Sequence, residues 1–352
     1  MKPNITNGIF LNDRKAILSN NQLLATEFNK LPVFDPSAVF FLDVLGKGGF
    51  GVVQKAYDKI ADEFIAIKKF KKIPEDDVEK KKFLEEIMVE DALLQNVEKI
   101  RVNTESCHQY FLKYDGVFRE ANDQMGLILK MESGCATLDN ILQAGKVFSC
   151  AELLYAFQKI VEGIAKLEEN GIANRDVKPQ NIILVEDPNI EGRFFFKISD
   201  FGIGCQLAKN VQLVTSDSIK GITKEYAAPE VMKFDEGEGN SEPEAEYNPF
   251  LADVYSLGVL ALKMINRSWG KKELNQGLLL EKEKFKEYEP ILELFKGILE
   301  KDVEKRWDCK KILKFYQDNE TDPKFSIKIP TDLADYYHKW QTELKEKKKK
   351  RS

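Results

Sequence analysis

Phe40-Phe41-Leu42-Asp43-Val44-Leu45 runs into Gly46-Lys47-Gly48-Gly49-Phe50-Gly51, and Val52-Val53-Gln54-Lys55-Ala56-Tyr57 follows. Both flanks read as strands, so the glycines sit in a hairpin. That distinction decides the fold. A dinucleotide-binding fingerprint needs its glycines between a strand and a helix, which leaves a Rossmann reading as the disfavoured alternative. Residues 64–70, with Ile65-Ala66-Ile67-Lys68 inside, read as a third strand.

Farther along, residues 75–97 are highly charged with apolar positions at helical spacing, and residues 126–131 are apolar and strand-like. From Ser149 onward helical patterns dominate, at 151–170, 253–265, 288–300 and 309–317. A β-rich front and a helical back predict a two-lobed α+β fold. The expected organisation is an extension over 1–37 and a catalytic domain over 38–317, with lobes at about 38–132 and 133–317. Residues 318–352 are expected to form a C-terminal helix and basic tail. The stretch 235–247 is acidic and rich in Gly and Pro, and reads as a solvated loop. Leu333, Tyr336, Tyr337, Trp340 and Leu344 recur at helical spacing after Pro330-Thr331-Asp332, which predicts a helix that packs on the body or on a partner. The tip at 347–351 is a solvated end, a nuclear-import signal or an anionic-membrane contact.

Bulk properties narrow the class. The chain has 352 residues and a net charge of −5, which argues against non-specific nucleic-acid binding. Five scattered cysteines without CxxC spacing suggest reduced thiols, no zinc site, and a cytoplasmic or nuclear location. The N-terminus has no apolar signal core, and no apolar run approaches the length of a membrane span.

Three further motifs follow Lys68 in order: Arg175-Asp176-Val177-Lys178-Pro179-Gln180-Asn181, Asp200-Phe201-Gly202 and Ala228-Pro229-Glu230. Singly each is weak; together with the glycine loop and Lys68 they resemble the signature set of eukaryotic protein kinases of serine/threonine type. The resemblance covers about residues 40–314 and implies ATP- and Mg2+-dependent phosphoryl transfer to a protein hydroxyl.

It also implies roles. Gly46, Gly48, Phe50 and Gly51 would lie over the phosphates, and Val53, Ala66, Met131, Glu132, Gly134 and Ile183 around the nucleotide, with Met131 as gatekeeper. Lys68 would contact phosphates and pair with a glutamate on the next helix. Glu90 is favoured over Glu86, because Leu93, Leu94 and Val97 follow it at inward-packing spacing. Asp176 would orient the acceptor hydroxyl, Lys178 would stabilise the transferring group, and Asn181 and Asp200 would hold magnesium. Thr223 and Ile203 would face the substrate acceptor, while Gln180 carries no charge to select an upstream arginine. Arg175 would bind a phosphate on Thr215, Ser216 or Ser218, implying an upstream kinase and a phosphatase as partners. Glu230 with Arg306, and Asp253, resemble the family's buried structural charges. Asn174 departs from the family's usual histidine, which puts packing under Phe201 in question. A catalytically weak pseudokinase scaffold is the rival reading, and a small-molecule kinase a more distant one.

Overall fold

The computed structural model describes residues 30–47, 51–71, 74, 76–120, 126–208, 211–215, 221–235, 246–269 and 283–349. The chain divides into two compact units. One runs to Gly134 and includes Cys205–Ala208; the other takes Cys135–Gly204 and the remainder.

The first unit is a six-stranded sheet: β1 Val33–Phe34, β2 Val39–Lys47, β3 Gly51–Asp58, β4 Glu63–Phe70, β5 Tyr114–Glu120 and β6 Leu127–Glu132. Their spatial order is β1-β5-β6-β4-β3-β2. The glycine cluster does join two antiparallel strands, β2 and β3. Gly51 has a packing reason of its own: a Cβ there would lie 2.0 Å from the Lys69 carbonyl oxygen on β4. Gly46 has open space around the same position.

Helix α1, Asp77–Asn103, opens on Asp76, whose side chain accepts hydrogen bonds from the N–H groups of Val78 and Glu79. Leu84 and Ile87 of α1 pack with Tyr114, Val117, Leu127 and Leu129 of the sheet. A second cluster gathers Phe34, Val39, Ala56, Ile65, Ile67 and Ile128. Phe34 lies within the stretch expected to be an extension. Its ring is buried, and Val33–Phe34 pairs in parallel with Arg119–Glu120, so burial of an apolar side chain carries the sheet back beyond residue 38.

The second unit is mainly helical. Its helices are α2 Leu138–Gln143, α3 Cys150–Glu169, α4 Pro229–Asp235, α5 Pro249–Ile265, α6 Leu292–Ile298, α7 Cys309–Asp318 and α8 Leu333–Lys349. A small sheet of β7 Ala136–Thr137, β8 Ile182–Glu186 and β9 Phe194–Ile198 accompanies them. A reciprocal Ser149–Glu152 capping box starts α3. α5 is apolar on nearly all sides and buried to match. Gly297 lets the Trp307 indole approach, for a Cβ there would come within 2.3 Å of the ring.

The continuous helix expected over 288–300 is broken in two. Residues Glu283–Ile291 wind as 3-10 turns containing Pro290, and the α-helix begins only at Leu292. Proline has no N–H to donate and its ring crowds the carbonyl one turn back. The acidic loop is also shorter than expected: Asp235 ends α4, and Glu246–Tyr247 pairs with Val214–Thr215. Residues 236–245 lie outside the described residues.

The C-terminal helix packs on its own unit. Leu333 is buried, Lys339 Nζ donates to the Ala144 carbonyl at 2.6 Å, and buried Lys146 bridges Glu152 and Asp332. The basic-tip side chains lie outside the described residues. Among the described residues no helix is long and apolar enough to cross a membrane.

Candidate active site

Each unit carries part of the predicted constellation. In the first, Lys68 of β4 lies opposite Val53 on one side and Leu129 on the other. Its Nζ is 2.6 Å from Glu90 Oε1 on α1, with both side chains largely buried. The pair is made with Glu90, and half-buried Glu86 lies one turn before it. Ala66 and Met131 are cross-strand partners. The Glu132 N–H donates to the Lys113 carbonyl at 2.9 Å, so a ligand contact at Glu132 falls to its carbonyl. Gly134 ends this unit. Gly48 and Phe50 lie outside the described residues.

The second unit assembles a dense polar cluster around Asp176. Thr223 Oγ1 donates to Asp176 Oδ1 at 2.7 Å. Lys178 Nζ is 2.6 Å from Asp176 Oδ2 and 2.9 Å from Thr223 Oγ1. Asn181 Nδ2 donates to the Asp176 carbonyl and to Oδ2, both at 2.9 Å. That fixes the amide orientation and turns the Asn181 side-chain oxygen away from these bonds. Ser199, which the motifs do not single out, donates from its N–H and its hydroxyl to the Asn181 carbonyl. Asp200 is exposed at φ 60°, and Gly202 N–H donates to its Oδ1 at 3.3 Å. A carboxylate and an amide oxygen suit a hard cation that keeps several waters. Among the described residues no group of three or more His, Cys, Asp or Glu could hold a metal ion. Phosphate oxygens would have to complete such a site.

Asn174 is a finding beyond the motif. It is 1% exposed. Its Nδ2 donates to the Asp200 carbonyl at 3.1 Å, and its Oδ1 accepts the Asp176 N–H at 3.1 Å. The shorter side chain forgoes ring packing and instead ties the Asp176 loop to the backbone of Asp200. Below it, Asp253 accepts the N–H groups of Asn174 and Arg175, both at 2.8 Å. Burial pushes the Asp253 carboxyl up to about 7 against those two bonds.

Arg306 and Glu230 form a two-point ion pair at 2.6 and 2.9 Å. The guanidinium also donates to the carbonyls of Glu300 and Leu251, which satisfies a buried charge. Exposed Thr215 pairs with Glu246, and the Arg175 guanidinium lies 6.0 Å from the ring of Tyr247. Ser216 and Ser218 lie outside the described residues. Ile203 is half-buried beside Gly221, with its Cγ2 3.3 Å from where a Cβ would stand. Ile183 sits on β8 opposite Lys197 and Thr137. Beside Gln180 opens a cleft of about 640 Å³ whose lining includes Asp139, Glu225, Lys263 and Arg267. Within it Lys263 pairs with Glu225, and Gln143 donates to Asp139 at 2.6 Å.

The family model for the protein kinase domain matches residues 41–316. Among curated proteins, the chain is 27% identical over 276 residues to the probable serine/threonine-protein kinase fhkC of Dictyostelium discoideum, covering 75% of this chain and 42% of that protein. It is 28% identical over 250 residues to the serine/threonine-protein kinase mig-15 of Caenorhabditis elegans, covering 70% and 20%. It is 29% identical over 285 residues to the rhodopsin kinase GRK1 of Rattus norvegicus, covering 76% and 44%. The chain thus spans less than half the length of these relatives.

Proposed function

The chain belongs to the protein kinase domain family, and from that premise we propose that it transfers the γ-phosphate of ATP to serine or threonine hydroxyls of a protein. The observation that carries the reading is the bonding around Asp176. An aliphatic hydroxyl, that of Thr223, already donates to the carboxylate at 2.7 Å, the contact an acceptor serine or threonine needs. The acceptor oxygen forms a bond to the γ-phosphorus, the bond to the ADP oxygen breaks, and the hydroxyl proton passes to Asp176. Lys178, 2.6 Å from the carboxylate, holds positive charge where the phosphoryl group arrives. Lys68, oriented by Glu90, neutralises the other phosphates. Asn181 and Asp200 would hold Mg2+, which supplies charge neutralisation on the phosphate oxygens.

The same reading extends to partners. Thr215, two residues before Asp217 and strand-paired to Glu246, is a candidate regulatory phosphosite for an upstream kinase and a phosphatase. Ile203 and Thr223 would border the acceptor. With Gln180 neutral and Glu225 engaged by Lys263, an upstream arginine gains little there. Scattered thiols favour a cytoplasmic or nuclear site of action, and the basic tip could touch an anionic membrane.

The test is transfer of labelled γ-phosphate to a generic protein substrate by wild type and Asp200→Ala. Labelling by wild type alone is expected. Equal labelling by both would remove the assignment, and no labelling by either would favour the scaffold reading, which Asn174 first raised.

A further inference from the structure

Consecutive carboxylates on α1 reach two different strands. Glu90 contacts Lys68 on β4, and its neighbour Asp91 accepts a hydrogen bond from the Tyr114 hydroxyl on β5. These strands flank β6, so the helix is fastened to both neighbours of one strand. Successive side chains leave a helix about 100° apart, which is what allows adjacent residues to serve separate strands.

Tyr114 also grips the helix at a second height. Its backbone N–H donates to Glu98 Oε2 at 3.0 Å. Glu98 follows Asp91 by seven residues, two turns along one face. Each carboxylate is itself braced: Gln95 Nε2 donates to Asp91 Oδ2 at 2.8 Å, and Arg101 donates to both oxygens of Glu98 at 2.6 and 2.7 Å. Lys68, Glu90, Asp91 and Tyr114 are all between 6% and 9% exposed. Burial, and next the Asp91 charge, raise the Tyr114 phenol well above its ordinary range, so the hydroxyl remains a donor.

An ion pair between one helical side chain and a strand fixes one point. It does not stop the helix turning about its own axis. We propose that Tyr114 and Asp91 are positioning residues for Glu90: their bond blocks rotation of α1 and keeps the Lys68–Glu90 pair formed without help from an activating partner. Losing the bond leaves the Asp91 carboxylate buried with one donor fewer. The helix then gains by turning Asp91 toward water, and the same turn withdraws Glu90. The inference rests on the reading of Lys68 as a phosphate ligand.

The experiment measures binding of a fluorescent ATP analogue with Mg2+ to the full chain, in wild type, Tyr114→Phe, Asp91→Asn, Lys68→Met and Lys68→Met/Tyr114→Phe. Amide hydrogen exchange over residues 86–94 is followed in the same proteins. Tyr114→Phe should weaken binding about tenfold or more, as expected for a lost buried hydrogen bond to a charged group. Asp91→Asn retains an acceptor oxygen and should stay within about twofold of wild type. In the Lys68→Met background, Tyr114→Phe should add nothing, because both act through one interaction. Unchanged affinity in Tyr114→Phe, or the same fold-loss in both backgrounds, overturns the proposal. Should Lys68→Met itself bind normally, the phosphate role of Lys68 fails, and exchange then decides the latch. Faster exchange over 86–94 in Tyr114→Phe but not in Asp91→Asn supports it, and wild-type exchange in Tyr114→Phe overturns it.

Discussion

Asn174 links three segments: its N–H donates to Asp253, its amide to the Asp200 carbonyl, and its side-chain oxygen accepts the Asp176 N–H. Asn174→Ala leaves the first bond and removes the other two at a site closed to water. The Asp200 backbone then loses its tie to the loop that carries Asp176. Misplacing these groups by a fraction of an ångström affects the chemical step more than peptide binding. We expect kcat to fall roughly tenfold with the peptide KM little changed; steady-state kinetics that show wild-type kcat would contradict this. Thr223 offers a cleaner contrast, because its hydroxyl bonds both Asp176 and Lys178. Thr223→Ser keeps that hydroxyl and should stay near wild type, whereas Thr223→Ala should lose about tenfold or more in kcat. Equal activity of the two variants would make the hydroxyl dispensable.

At the scale of elements, charged side chains fasten strands and helices to each other. Asp58, at the end of β3, accepts from Lys130 Nζ on β6 at 2.7 Å and from the N–H groups of Ile60 and Ala61. The Lys130 bond chiefly, against a burial penalty, pulls its carboxyl down to about 2 from an ordinary 3.8. Because the folded value is the lower one, its stabilisation is present above pH 3.8 and is lost as pH falls through about 2. Asp58→Asn should therefore destabilise at neutral pH by about 1–2 kcal/mol. Denaturant titrations should find the gap to wild type narrowing between those two pH values; a constant gap would assign the effect to shape alone. α8 is held in a comparable way. Lys146 is buried between Glu152 and Asp332, with the Tyr336 ring 5.6 Å from its Nζ. Lys146→Met leaves Glu152 with its Ser149 donors alone and Asp332 without this cation, and should cost about 3 kcal/mol. It should also free α8 to proteolysis well before the rest of its unit. Cleavage at the wild-type rate would show that apolar contacts such as Leu333 suffice.

For the whole molecule, ligand linkage provides the broadest test. A hundredfold excess of Mg·ATP over its Kd stabilises a folded chain by about 2.7 kcal/mol, roughly 5–11 °C for a unit of about 150–250 residues. Wild type should show that shift, and Lys68→Met and Asp200→Ala most of its loss; an equal shift in all three would place nucleotide elsewhere. The order of the candidate catalytic residues and the class of fold could be read from the amino-acid sequence alone. Residues 175–181 hold the candidate catalytic groups within one short stretch, so spacing along the chain carries their geometry almost unchanged. The preference for Glu90 was legible for a similar reason: Leu93 and Val97 mark the buried side of α1, and helical periodicity ties that side to Glu90. Periodicity, however, says which face is buried and not what stands opposite. Tyr114 with Asp91, 23 residues apart, and Asn174 with Asp200, 26 apart, belong to that second kind. The same holds for Phe34, whose strand runs beside Arg119–Glu120. Only tertiary packing decided these, because a buried polar group takes whichever partner the folded chain brings within hydrogen-bond reach, and a lone apolar dipeptide becomes a strand only when an edge is there to receive it.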